Sequence, residues 1–577
     1  MSYLRPSCRA LTPTALLGLL LPALLPAQTS ALASNRFVPA DSALVLRIAS
    51  PAKWRSRFAR TQVSKLGESE ALAPLMRMAN RQIEAGLHML RDSGLFDAEL
   101  AEGLLNDWMG DIVLSVQIDW DSLADSLQFD VMPSFSLVVA LTPDGSFDLG
   151  AVQRALDETI EQIKPEHEVL LDFAVGEHDL RRTDNGEDEP NFTMPALVDG
   201  ALVLLGGSDI DHQAAELLAT DDRWQGGDVD DALLAHFDVG GLIRTALASD
   251  DGNAPVDLGE LFRVLGLQSL RSMTFTVKPD GEAVTGAMRI GLTASDRGLL
   301  DVFPQTSEPP SLLAAVPAGC ESFSISTVDL GRIYTAIQDA WRLFEDEAPM
   351  TFDDALQMFA EATKIRLKED LLDHLGNELL IVQDAESLES ADFSDYEDDP
   401  VAMVGGTVYG VALSDGEAFA TALDKMLRTR GLHVSRKRES YGNVQVYRLP
   451  LAGLIEIEYA VTGDLLLIGL GGDEGSRAML RGVLDARAAG EGGPEDKIRR
   501  HLGALEPGWN GVAVTPISVI LNVMANAIET SGELPQDLQM ATSLLRGLAQ
   551  DIRRLGLDSM VSTTRCDEHG ITSQFRW

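Results

Sequence analysis

VDGALVLLGGSDIDHQAAELL, residues 198–218, and VTGDLLLIGLGGDEGSRAMLRGVL, residues 461–484, spell one pattern twice. Each copy reads as a strand end, a tight turn at Asp199-Gly200 or Thr462-Gly463, an apolar strand, a Gly-rich corner and a helix. A two-residue turn joins antiparallel neighbours, whereas a parallel crossover needs a dozen residues or more. Each copy is therefore a hairpin, and the expected class is α+β: two tandem copies of a mainly antiparallel sheet with helices packed on one face.

Further matches recur in the same order. PADSALVLRIASPAKW (39–54) answers PAGCESFSISTVDLGR (317–332), DWMGDIVLSVQ (107–117) answers DHLGNELLIVQ (373–383), and SLVVALTPDGSF (136–147) answers VYGVALSDGEAF (408–419). Late in each half HFDVGGLIRTAL (236–247) meets VAVTPISVILNVM (512–524), and LGLQSL (265–270) meets LGLDSM (555–560). One match is cheap, but several in register at an offset of roughly 260–290 residues predict a duplication. The expected organisation is a signal peptide over 1–33, one α+β repeat over 34–305, a Pro-containing linker over 306–311 and a second repeat over 312–577.

The first 33 residues carry Arg5 and Arg9, an apolar run broken by Pro22 and Pro26, and Ala31-Leu32-Ala33 as a small-x-small cleavage site. This reads as a secretory leader, with export to a periplasmic or extracellular destination and no transmembrane segment after cleavage. The 577 residues carry a formal charge of −43, with 89 acidic against 46 basic side chains. So acidic a surface repels nucleic acid and anionic membrane. Beyond the leader only Cys320 and Cys566 remain, which excludes a disulfide scaffold and leaves their pairing open.

VPADSALVLRI (38–48) resembles the opening of exported bacterial proteins of unknown function whose repeats begin Leu-Pro-Ala-Asp before a first strand. The resemblance touches the start of each half, and the second departs from it because Gly319 replaces the Asp. It implies export and a tandem α+β fold, and brings no catalytic residue with it.

The chemical motifs reduce to structure. Gly206-Gly207-Ser208-Asp209 and Gly469-Leu470-Gly471-Gly472-Asp473-Glu474 stand where a phosphate loop would, but lack its Gly and Lys spacing, and Asp209 or Asp473 would occupy the helix amides. Ser50-Pro51-Ala52-Lys53 matches a Ser-x-x-Lys nucleophile motif without its partners, and Ser50 as an N-cap before Pro51 explains the same letters. His167 and His178 stand eleven residues apart without metal-ligand spacing. The helix TPISVILNVMANAIETS, with Thr515 as expected cap and Pro516 at its first position, is apolar nearly all round and is expected to be buried.

Both halves place an acidic loop between the second and third strands: Asp119, Asp121, Asp125 and Asp130 in one, DAESLESADFSDYEDDP in the other. The expected state is a solvated loop, because the spacing of a Ca²⁺ cage is missing. The alternative is a millimolar Ca²⁺ site on Asp392, Asp395, Glu397, Asp398 and Asp399. No catalytic residue, cofactor or other metal is expected. The leading functional expectation is a non-enzymatic exported protein that meets an unknown protein or envelope partner. The alternatives are a carrier of an apolar, lipid-like ligand, or an enzyme whose site has no linear motif.

Overall fold

The structure is a computed structural model. It describes residues 36–69, 71–73, 77, 110–120, 122–123, 134–143, 150, 154, 170–175, 178–183, 191–193, 196–207, 210, 224, 233–248, 257–293, 297–305, 308–345, 348–389, 406–451, 455–470, 474–490, 492–530 and 536–577. The expected leader and linker residues Thr306 and Ser307, the Ca²⁺ candidates Asp392, Asp395, Glu397, Asp398 and Asp399, and also Asp121, Asp125, Asp130, His167, Asp209 and Asp473 lie outside these. The chain divides into two compact units, one of residues 1–249 with 271–289 and one of 250–270 with 290–577.

In the first unit the strands are β1 (Leu44–Ala49), β2 (Asp111–Ile118), β3 (Phe135–Thr142), β4 (Leu170–Val175), β5 (His178–Thr183), β6 (Asn191–Phe192), β7 (Ala196–Val198), β8 (Ala201–Gly207) and β9 (Leu233–Phe237). β10 (Leu270–Asp280) turns at Gly281 and Glu282 into β11 (Ala283–Leu292). The sheet runs β10-β9-β1-β2-β3-β8, with β7 and β6 end to end along the far edge of β8, and every pairing is antiparallel. Helix α1 (Pro51–Phe58) follows β1, and α2 (Val239–Ala248) follows β9. The β7–β8 turn has φ of 47° at Asp199 and 78° at Gly200, the paired positive angles of the mirror-image turn that Asp-Gly favours.

The second unit holds helix α3 (Leu258–Leu265) and strands β12 (Ser322–Thr327), β13 (Leu375–Gln383), β14 (Thr407–Leu413), β15 (Lys437–Tyr441), β16 (Val444–Leu451), β17 (Ile455–Val461), β18 (Leu465–Leu470), β19 (Gly511–Pro516), β20 (Ser559–Asp567) and β21 (Gly570–Arg576). Its order is β21-β20-β19-β12-β13-β14-β18-β17-β16-β15, again wholly antiparallel. The helices are α4 (Leu330–Leu343), α5 (Phe352–Thr363), α6 (Ala385–Glu389), α7 (Gly416–Thr429), α8 (Glu474–Ala489), α9 (Asp496–Gly503), α10 (Ile517–Thr530) and α11 (Gln536–Leu555). The class is α+β with a large antiparallel sheet.

Helices cover both faces of the second sheet, not one. Val408, Leu465 and Leu467 pack with Leu480 and Val483 of α8, while Leu413 and Leu466 pack with Phe419 and Ala422 of α7 on the opposite face. The cause is the run LLLIGL of β18, which has no polar alternation and must be covered on each side. Each leucine so buried contributes about 1.5–3 kcal/mol. In the first unit, too, both sheet faces are apolar, with Val138, Ala140 and Val203 on one and Leu137, Val139 and Leu204 on the other.

Three local expectations are corrected. The turn is not at Thr462-Gly463 but one residue on, because Val461 pairs with Leu466 and the Thr462 N–H and hydroxyl both bond Leu465 O around Gly463 and Asp464. Ser50 is not a side-chain cap but a left-handed residue, φ 44°, whose N–H donates to Gly110 O. Thr515 and Pro516 end β19, where they face Met560 and Ser559, and α10 is capped across the sheet by Asp558, which accepts from Ser518 N at 2.9 Å. That helix is buried at Val519 and Ala525 but exposes Ile520 and Met524, so it is covered on one side only.

Candidate functional site

Among the described residues a groove of about 470 Å³ opens on the second unit beside the start of α7, lined by Ile365, Asp370, His374, Asp415, Glu417 and Thr421, with Ala418, Ala422 and Lys425 completing it. Its position follows from local sequence. Asp415-Gly416-Glu417 starts α7: Asp415 accepts from Ala418 N at 3.0 Å, and Gly416 is required because a Cβ there would stand 2.0 Å from Thr462 O. Glu417 then falls in the first turn, where its charge suits the helix dipole, and its carbonyl accepts from the Thr421 hydroxyl at 2.9 Å.

The opposite wall is a short turn over 366–371 above buried Ile365. There Asp370 accepts from Arg366 N at 2.8 Å and from its guanidinium at 3.3 Å. The backbone N–H bond first, helped by the Arg366 side chain and by Lys425, holds the Asp370 carboxyl below its usual range although desolvation opposes this. Beside it Lys368 donates to Asp373 at 2.8 Å, which raises the ammonium pKa. The floor is apolar, and the walls present three carboxylates against Lys425 and His374. Such a surface accepts hydrogen bonds and attracts a cationic or hydroxyl-bearing group.

Several other charges in this unit are committed to packing. Glu458, 1% exposed, is met by Arg448 at 3.2 Å and by Arg477 at 3.8 Å; Glu456 also pairs with Arg477, and Glu439 links Arg448 to Arg481 of α8. Glu389 accepts from Asn522 of α10 and from Arg553 of α11, tying three helices together. In the first unit Arg47 and Asp111 form a buried ion pair at 3.1 Å.

The residues singled out from sequence do not gather at the groove. Gly206 and Gly207 close β8, and Gly469 lies within β18. Asp119 bonds the N–H of Ser122 in a local turn. His178 belongs to β5. Cys320 and Cys566 are both free and buried, and burial raises both thiol pKa values. Among the described residues no cluster of three His, Cys, Asp or Glu side chains is placed to hold a metal, and no helix is long and apolar enough to cross a membrane. In the sequence Asp415-Gly416-Glu417 carries only a helix-start signal, and its partners in the groove come from a separate turn.

No family model and no curated protein matches the sequence. Among solved structures, crystal form IV of TP0453 is similar at 9% identity over 47% of this chain and 81% of that chain, with a TM-score of 0.21. Crystal forms III and I of the same protein match at 8% and 9% identity, each over 45% of this chain and 79% of that chain, with TM-scores of 0.19 and 0.20. Likeness of that degree says nothing of what this chain does.

Proposed function

We propose that this chain is an exported, non-enzymatic binding protein of the periplasm or cell exterior, built from two copies of one α+β unit, and that the groove beside α7 receives its ligand. The observation that carries the binding reading is the state of Asp370. Both of its oxygens are fixed by Arg366, Oδ2 by the backbone N–H at 2.8 Å and Oδ1 by the guanidinium at 3.3 Å. It is a fixed acceptor, suited to recognition.

The duplication is supported by strand order. β9-β1-β2-β3-β8 in one unit corresponds to β19-β12-β13-β14-β18 in the other, and a helix follows β1, β9, β12 and β19 alike. Export rests on the leader-like first 33 residues, and N-terminal sequencing of secreted material tests it, with Ser34 the expected first residue.

The test of the groove is thermal melting with spermidine as cationic probe. Stabilisation that grows with the logarithm of free spermidine, and that Glu417→Gln diminishes by more than the small shift its lost helix-dipole interaction gives the free protein, supports binding there. A probe chemically altered on incubation with the protein would establish an enzyme instead. A second reading, a carrier of an apolar ligand, is favoured by Ile337 and Trp341 of α4 with Phe344 at its C-terminal cap, each at least 36% exposed. Retention of a radiolabelled fatty acid through gel filtration would support it.

A further inference from the structure

Six basic side chains of this acidic protein stand close together in one acid-free segment. Residues 425–438, KMLRTRGLHVSRKR, carry Lys425, Arg428, Arg430, Arg436, Lys437, Arg438 and His433 and no acidic residue, in a chain with 89 acidic against 46 basic side chains. They form the last turns of α7, a short turn over Leu432–Val434, and the start of β15. We infer that this turn and the open edge of β15 are a docking site for an acidic, extended peptide of another protein.

The turn is built firmly. Arg436 lies over the Tyr447 ring, 4.5 Å from its centroid, and donates to Tyr459 Oη at 3.1 Å and to Asp424 at 2.7 Å. Arg428 takes the other oxygen of Asp424 at 2.5 Å. Hydrogen bonds from Arg428 first, then from Arg436, hold Asp424 ionised, so it neutralises the inner cations of the patch. Arg430 and Lys437 remain, exposed and without an ion pair among the described residues, with Arg438 bonded only to Gln445. Val434 stands 80% exposed between them.

The strand edge supplies the second half of the site. Among the described residues β15 pairs with β16 alone. Tyr441 and Val444 flank a two-residue turn and so form a hydrogen-bonded pair, which directs the backbone groups of Arg438 and Ser440 to the open side. An added strand would find its backbone partners there and its charge partners in Lys437 and Arg430.

Lysine on an edge strand also guards against aggregation. That role accounts for Lys437 but calls for neither Arg430 nor a protruding valine. Edge-to-edge pairing of two copies would set one basic segment against another. Nucleic acid or an anionic membrane would extend beyond the patch and meet the surplus of acid on the rest of the surface, within a screening length of about 8 Å. A short acidic strand meets the edge alone.

The test uses the full chain and a short fluorescein-labelled peptide of alternating Glu and Val, followed by fluorescence anisotropy. Saturable binding at low salt is expected, largely lost at about 0.5 M NaCl. Arg430→Glu with Lys437→Glu is expected to weaken it about tenfold. Ser440→Pro, which removes an outward N–H, should weaken it about as much while the circular dichroism spectrum is retained. Absence of saturable binding, or an affinity untouched by the charge reversal or by Ser440→Pro, overturns the inference. So does equally tight binding of a single-stranded oligonucleotide or of phosphatidylglycerol vesicles.

Discussion

Replacing Arg297 will destabilise the second unit more than any surface substitution. The residue is 4% exposed, and its guanidinium donates to three backbone carbonyls, Nε to Thr293 at 3.0 Å, Nη1 to Asp567 at 3.1 Å and Nη2 to Glu568 at 2.5 Å, as well as meeting the Cys566 sulfur. Hydrogen bonds to a charged group contribute about 1.5–3 kcal/mol each. Three of them exceed the desolvation of a buried cation that has no carboxylate among these partners, which takes back several kcal/mol. The expected net loss for Arg297→Ala is about 3 kcal/mol, or about 4–5 °C in melting temperature for a unit of this size. Arg297→Lys keeps the charge but not the fork, and should lose about 1–2 kcal/mol. Urea unfolding followed by circular dichroism measures both, and hydrogen exchange at the β20–β21 turn reports the local loss. If Arg297→Met were as stable as the parent, the guanidinium would only offset its own desolvation, and the argument would fail.

Stability should also decline as pH falls from about 7 towards 5. Burial lowers His236 below its ordinary 6.5 despite the opposing charge of Asp238, and burial with the cations Arg576, Lys497 and Arg500 lowers His501. Below about 6.5 the unfolded chain therefore binds more protons than the folded one, and the difference accumulates down to the folded pKa values. Changing both residues to Gln should flatten the dependence of melting temperature on pH across that window, and an unchanged slope would refute the assignment. Asp558→Ala should cost about 1 kcal/mol by removing the cap of α10, while Asp558→Asn keeps an acceptor and should lose much less. Equal shifts of the urea midpoint in the two variants would show that the charge, not the cap, matters.

The hairpins and the α+β class were legible because they rest on short-range signals: Asp199-Gly200 demands a tight turn, and apolar runs of strand length surround it. The covering of both sheet faces was legible in principle from the unbroken LLLIGL of β18, but turn chemistry alone does not say which side a helix takes. The cap of α10 could not be read, since Thr515-Pro516 satisfies the local rule for a helix start while strand pairing claims both residues and Asp558 arrives from 40 positions away. The groove is of the same kind, joining Asp370 to Asp415 and Glu417 through tertiary packing. The basic segment 425–438 was visible in composition, and was obscured by the net charge of the whole.

The placing of the opening strand inside each sheet has a kinetic consequence. Leu44 lies beside Phe237, and Phe323 beside Val514, so in both units a strand made early must wait for one roughly 190 residues downstream, and the entropy of closing so long a loop slows folding. Until Leu233–Phe237 has been synthesised, LVLRIA at 44–49 offers an open ladder on one side, and the same holds for Ser322–Thr327 until Gly511–Pro516 follows. A nascent chain of this topology stays unfinished for most of its synthesis, and a truncation before residue 233 would leave an apolar strand free to pair with a stranger.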